Sequence, residues 1–191
     1  MSTLVIAADT RFPAVEVVAL AQGGDAAARE QLASHCRLVA FRFALQLTGN
    51  REDASDVAQD ALVRVLGALG RFHAGEPLAP WLHRIVHNLV RDRRRRRRVR
   101  RTEALTPFDG ALVLEPSDPA PDPEAQASRI ELQRMVWACL GELDDDQRAI
   151  VVLRDYEGLA YDEIATVLRI PRGTVMSRLH RARQRLAGKV R

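Results

Sequence analysis

The chain has 191 residues, 47% of them hydrophobic but only 5% aromatic, and a formal net charge of +4. Cores so poor in aromatics must be built from Leu, Val, Ile and Ala, which favours packed helices over sandwiches or barrels. The charge is uneven: residues 91–101 hold nine basic groups against one acidic, 102–126 six acidic and no basic, and 166–191 eight basic and no acidic, a pattern expected of a chain that grips a polyanion at two places.

Residues 1–22 read as an N-terminal extension. Their start, MSTLVIAADTRFPAVEVVAL, is interrupted by Asp9, Arg11, Pro13 and Glu16, so neither a signal peptide nor a membrane span is expected. Ala26 to about Leu47 reads as an amphipathic helix that exits at Gly49 and Asn50. A second helix is predicted from about Glu52 to Leu69, with Ala58, Leu62, Val65 and Leu69 forming its buried stripe. Its opposite face carries Asp53, Asp56 and Asp60, with Gln59 beside them; alone, such a stripe reads as solvation plus a favourable helix dipole.

The segment RFHAGEP breaks the pattern, and Pro80 suits the first turn of a third helix running through Trp81, Ile85, Val86 and Leu89 into LVRDRRRRRRVRR. The arginines therefore prolong a packed helix instead of forming a loose tail. Within it, HRIVH puts His83 and His87 one turn apart, but the glutamate of HExxH and a third ligand are missing, so no metal is expected and both rings are expected to face DNA backbone or solvent. Cys36 and Cys139 lack CxxC partners, which argues against disulfides or a zinc knuckle and fits a reducing cytoplasm.

Residues 102–126, centred on EPSDPAPDPE, have no periodic apolar face and read as a flexible acidic linker. Four short helices are predicted beyond it: Ala127 to Leu143, Asp145 to Tyr156, Tyr161 to Leu168 and Pro171 to about Leu186. The last two have the rhythm of a helix-turn-helix. Ile164, Ala165 and Leu168 supply one apolar face, and Val175, Leu179, Ala182 and Leu186 the other, leaving Thr174, Ser177, Arg178, Arg181 and Arg185 outward. A helix so divided can lie in a major groove, where Arg reads guanine edges and hydroxyls hold phosphates. A basic helix that touches membranes or packs elsewhere is the plainer alternative.

The stretch LDDDQRAIVVLRDYEGLAYDEIATVLRIPRGTVMSRLHRARQRL resembles domain 4 of the extracytoplasmic-function (ECF) group of bacterial sigma-70-type sigma factors. DASDVAQDALVRVLGALGRF followed by PWLHRIVHNLVRDRRRR resembles their domain 2. The resemblance runs from about Leu32 to Leu186 and implies an all-α fold: domain 2 over residues 23–101 and domain 4 over residues 127–191, joined by the linker. It implies a non-enzymatic cytoplasmic initiation factor without cofactor, whose partners are promoter DNA, an anti-sigma protein and core RNA polymerase through its β′ clamp helices and β flap.

By the same resemblance Asp56, Gln59 and Asp60, grouped with Asp53, would dock on the clamp. Phe72 and Asn88 would cradle a flipped minus-ten base beside the structural aromatic Trp81, while Arg91, Arg93, Arg94 and the arginines after them hold phosphates. Arg172, Thr174, Met176, Ser177, Arg178, His180, Arg181 and Arg185 would face the minus-thirty-five duplex. The linker would thread toward the polymerase active centre, or serve as a plain tether. The sequence departs from the family at Leu78, usually aromatic, at Ala160, usually a capping Ser or Thr, and at Met176, commonly basic. An ordinary helix-turn-helix repressor that binds duplex DNA as a dimer is the rival, and a zinc enzyme built on His83 and His87 a more distant one.

Overall fold

Helix ends follow the capping chemistry of the sequence. The structure, a computed structural model, describes residues 13, 15–73, 75–100, 131 and 135–188. A short helix, α1 (Val15–Gln22), precedes α2 (Ala26–Thr48), which opens on Asp25: its Oδ1 accepts the Ala28 N–H at 2.7 Å. At the other end Gly49, at φ 66, occupies the left-handed region open to glycine, and its N–H returns to the Leu45 carbonyl. Asn50 then caps α3 (Arg51–Ala68) by accepting the Asp53 N–H at 2.9 Å. A single 3-10 turn, Leu69–Arg71, leads to the loop before α4 (Leu78–Arg100), and Pro80 sits in the first turn of α4 as its missing N–H allows.

These helices bury Leu32, Cys36 and Phe43 of α2 against Val57, Ala61 and Val65 of α3 and Leu82 and Val86 of α4. Each large aliphatic side chain so buried contributes about 1.5–3 kcal/mol relative to exposure. The expected α3 stripe is present, with Ala58, Val65 and Leu69 buried and Leu62 half-buried. Part of the sequence read as an extension is also built in: α1 buries Val18 and Ala21, and Gln22 Nε2 donates to the carbonyls of Leu69 and Phe72, pinning the loop after α3.

The linker, residues 102–126, and the start of the helix expected from Ala127 lie outside the described residues. That helix, α5, is described over 135–141 and buries Trp137 and Leu140. Asp144 caps α6 (Asp145–Val151) by accepting the Gln147 N–H at 2.8 Å. The one continuous helix predicted from Asp145 to Tyr156 is instead divided: α6 stops at Val151 and a π-turn, Val152–Tyr156, follows. α7 (Tyr161–Leu168) and α8 (Arg172–Ala187) meet across a tight turn in which Arg169 holds φ 56. Every regular element among the described residues is helical, in agreement with the all-α expectation. None of these helices is long and apolar enough to cross a membrane.

Ala160 has no side-chain acceptor for the free N–H groups of α7, so only half of a capping box exists: Glu163 Oε2 accepts the Ala160 N–H at 2.7 Å. Ala160→Ser supplies the missing half and is expected to stabilise the protein by about 1 kcal/mol. Urea denaturation followed by circular dichroism measures this, and an unchanged midpoint would show that the cap is not limiting.

The two groups of helices are in contact. The end of α2 packs on α6 and the π-turn, and α4 packs on α7.

Candidate nucleic-acid interface

α8 divides as its sequence predicts. Val175, Leu179 and Ala182 are buried against the rest of the second group, with Leu186 half-buried. On the other side Arg172, Met176, Ser177, His180, Arg181 and Arg185 are exposed, and Thr174 and Arg178 are half-buried. The hydroxyl of Ser177 donates to the Thr174 carbonyl at 3.1 Å, and Arg181 Nε donates to the Ser177 carbonyl at 3.3 Å, so both groups lie along the helix with no partner outside it among the described residues. Arg178 is held differently, by Asp146 at 2.5 Å, and Arg185 by Gln147 Oε1 at 2.8 Å and Asp144 at 3.8 Å. The open face is thus basic and polar, and the acidic start of α6 borders it.

The arginine run continues α4 and is partly used internally. Arg93 Nε donates to Asp53 at 3.1 Å and its Nη2 to Asp56 at 2.7 Å, while Arg97 makes a forked pair with Asp53 at 2.6 and 2.7 Å. Arg94 donates to the Leu47 carbonyl at 2.6 Å and pairs with Asp145. Arg91, Arg95 and Arg96 are exposed, and Asn88 is half-buried beside them on the same helix.

The structure turns four of the residues singled out in the sequence inward. Phe72, expected to cradle a base, is buried at 7% exposure with its ring 4.7 Å from that of half-buried Trp81, so both belong to the packed base of the loop. Asp53, expected on the polymerase-facing stripe, is only 5% exposed and committed to Arg93 and Arg97; its work is to fix α4 on α3. His83, expected to face DNA or solvent, is 1% exposed: Nδ1 donates to the Ala79 carbonyl at 2.7 Å and Nε2 lies 3.0 Å from Glu157 of the second group. By contrast Asp56, Gln59 and Asp60 share an open face of α3. Val63, 67% exposed, continues that face; an apolar residue three and four positions after Asp60 and Gln59 was the signal for it.

His87 is also turned inward, with Nδ1 buried and without a hydrogen-bond partner among the described residues. It faces a small space of about 40 Å³ lined by Leu47, Val90, Ala149, Arg91, Arg94, Asp145 and Asp146. Burial first, then Arg91 and Arg94, push its imidazole down from the ordinary 6.5 to about 4, Asp146 and Asp145 pulling the other way. The folded protein keeps His87 neutral while the unfolded chain protonates it below the ordinary value, so stability is complete above that value and declines as pH falls toward 4. Relative to His87→Gln, the wild type is expected to lose about 2 kcal/mol more between pH 7.5 and 5, at ~1.4 kcal/mol per pH unit across the shifted range. Parallel urea titrations measure it, and equal losses in the two proteins would refute a buried neutral ring.

Residues 32–100 match the family described as Sigma-70 region 2, and residues 133–186 the family described as Sigma-70, region 4. Over 172 residues, 90% of this chain and 82% of the relative, the sequence is 35% identical to the ECF RNA polymerase sigma factor SigM of Mycobacterium tuberculosis. The chain is an ECF sigma factor. It is also 41% identical over 146 residues to the ECF RNA polymerase sigma factor SigE of Mycolicibacterium smegmatis, matching 76% of this chain and about half, 55%, of that longer protein. Among solved structures it resembles CnrH, determined in complex with the cytosolic domain of CnrY, at a TM-score of 0.65 and 28% identity over 92% of this chain and 95% of that one. Sigma factors are not an enzyme family; this one directs RNA polymerase to promoters for transcription initiation.

Proposed function

We propose that the sigma factor works through two separate contacts with promoter DNA and two with core polymerase. The second unit, residues 127–191, lays α8 in the duplex major groove of the minus-thirty-five element and rests on the β flap. Arg172, Thr174, Met176, Ser177, Arg178, His180, Arg181 and Arg185 face the DNA there. The first unit, residues 23–101, sits at the minus-ten element, where Asn88 contacts an opened base and Arg91, Arg93 and Arg94 contact phosphates that carry affinity without sequence choice. Asp56, Gln59 and Asp60 of α3 meet the basic β′ clamp helices.

The observation that carries this reading is the division of α8, with Val175, Leu179 and Ala182 buried and a largely polar face of Ser177, Arg181 and their neighbours, Met176 among them, left open. Runoff transcription with core polymerase over a promoter library tests it. Transcripts starting at a defined site are expected only when the sigma factor is present. Tight, sequence-specific binding to duplex DNA by the free protein, with no transcript, would favour a conventional repressor instead.

A further inference from the structure

α1 carries none of the residues given to DNA or polymerase, yet its last residue, Gln22, reaches the loop between α3 and α4. Gln22 Nε2 donates to the Leu69 carbonyl at 2.9 Å and to the Phe72 carbonyl at 2.5 Å, across 47 and 50 residues of chain. Only the NH2 end of an amide can meet two carbonyls, which fixes its orientation. The Phe72 N–H also returns to the Leu69 carbonyl at 3.1 Å, so one side chain fastens both ends of the 3-10 turn.

The fastening is rigid on the α1 side. The Asp25 N–H bonds to the Leu20 carbonyl at 3.1 Å and the Gly24 N–H to that of Ala21 at 3.3 Å, a Schellman closure with Gly24 at φ 99, where glycine meets no steric cost. Arg29 Nε of α2 donates to the Ala21 carbonyl at 2.9 Å, and Val18 and Ala21 are buried in the core. The turn itself is thinly held. Gly70 and Arg71 are exposed, a Cβ on Gly70 would meet nothing within 4 Å, and a groove of about 450 Å³ lined by Gln22, Arg29, Leu66 and Gly70 runs beside it. Beyond the turn, the exposed His73 and Glu76 are joined by the Glu76 N–H on the His73 carbonyl at 2.8 Å.

We propose that α1 is the positioning element for minus-ten base selection: Gln22 fixes the Phe72 carbonyl, and with it the direction in which the loop presents His73 and Glu76 to an opened base. This rests on the reading of the first unit as the part that meets the minus-ten strand. An extruded base is recognised at its Watson–Crick edge, by donors and acceptors that must be held to within about 0.5 Å. A loop released at Phe72 answers several bases alike, while the arginines of α4 keep their affinity for phosphate whatever the sequence. Gln22 touches no nucleotide and acts only through the loop.

The test is Gln22→Met, similar in length but without donors, assembled with core polymerase; Gln22 is half-buried at a helix end, so the change opens no core cavity. Labelled single-stranded minus-ten oligonucleotides, varied one position at a time, are titrated by fluorescence anisotropy, and the affinity for the preferred base is divided by that for each of the others. The ratio is read on one holoenzyme, so any loss of folded or assembled protein cancels, and a merely structural role for α1 leaves it unchanged. At one position Gln22→Met should lower the wild-type ratio about fivefold, the low end for one lost base contact. Gln22→Lys, which keeps an N–H donor of similar reach, should recover most of it. Equal ratios in wild type and Gln22→Met overturn the positioning role alone. A lysine variant no more selective than the methionine one overturns the part given to the donor. A wild-type holoenzyme without base preference overturns the minus-ten reading, and the role of Gln22 falls with it.

Discussion

Arg148→Met is expected to destabilise the protein by about 3–5 kcal/mol, the range for breaking a buried, hydrogen-bonded charge site. The methionine fills much of the same volume, so the loss is one of donors more than of packing. Leu140, Gly141 and Leu143, at and just beyond the end of α5, present carbonyls that the Arg148 guanidinium takes, the Leu140 carbonyl also accepting the Leu143 N–H at 3.2 Å. Burial first, then Arg94, push that guanidinium below its usual range, while Asp145 and Asp144 pull it back, so the site is held by acids that also cap and open α6. Arg148→Lys keeps the charge but presents one ammonium in place of a fork and is expected to recover only a minor part of the loss. Urea denaturation with circular dichroism measures both variants. A methionine variant with the wild-type midpoint would mean that water reaches those carbonyls freely.

The same site shows which parts of the structure were legible in the chain. Periodic apolar stripes were, because burial at i, i+4 and i+7 is a property of one helix: the α3 and α8 stripes and the inward Val86 and Leu89 of α4 stand where spacing put them. Ala160 was legible as a missing cap, and its remedy, Glu163 three residues later, was a local signal too. What escaped was everything decided by a partner far along the chain. Asp53 has the spacing of an exposed stripe, yet it is buried by Arg93 and Arg97, 40 and 44 residues away. His83 looks like the first half of a metal or phosphate site until Glu157, 74 residues on, closes over it. Phe72 sits in an irregular loop where an aromatic reads alike facing in or out; Trp81 beneath it and Gln22, 50 residues earlier, turn it inward.

Charge ties these misses together. A sequence count treats the arginine run as free cations awaiting a polyanion, but Arg93, Arg94 and Arg97 already hold carboxylates. The exposed pairs among them are individually weak, since solvent screens such contacts and ordering two long side chains costs entropy. They are therefore exchangeable: phosphate can replace a half-exposed carboxylate at little net cost, whereas the enclosed Asp53 carboxylate, held by Arg93 and Arg97, stays to position the helix. On the proposed reading of α4 as a DNA-contacting helix, steering and affinity would come from Arg91, Arg95 and Arg96 first, with the paired arginines joining as their carboxylates are displaced.

Asp56 stands at the junction of these roles, and Asp56→Arg is expected to abolish transcription by the sigma factor while leaving its fold intact. Asp56 is 57% exposed and shares its open face with Gln59, Asp60 and Val63, so its substitution opens no cavity and breaks only the surface pair with Arg93. Stability should change by less than about 1 kcal/mol. Binding should change far more, because a new arginine facing the basic β′ clamp converts an attraction into a like-charge contact; we expect at least ~100-fold weaker core binding, close to 3 kcal/mol. Fluorescence anisotropy of the labelled sigma factor titrated with core enzyme measures the affinity, and urea denaturation confirms the fold. Asp56→Asn separates the two parts of the effect, since it removes the attraction without adding repulsion and should fall between wild type and Asp56→Arg. If Asp56→Arg binds core normally, α3 does not present this face to the clamp, and the open stripe from Asp56 to Val63 has no share in assembling the holoenzyme.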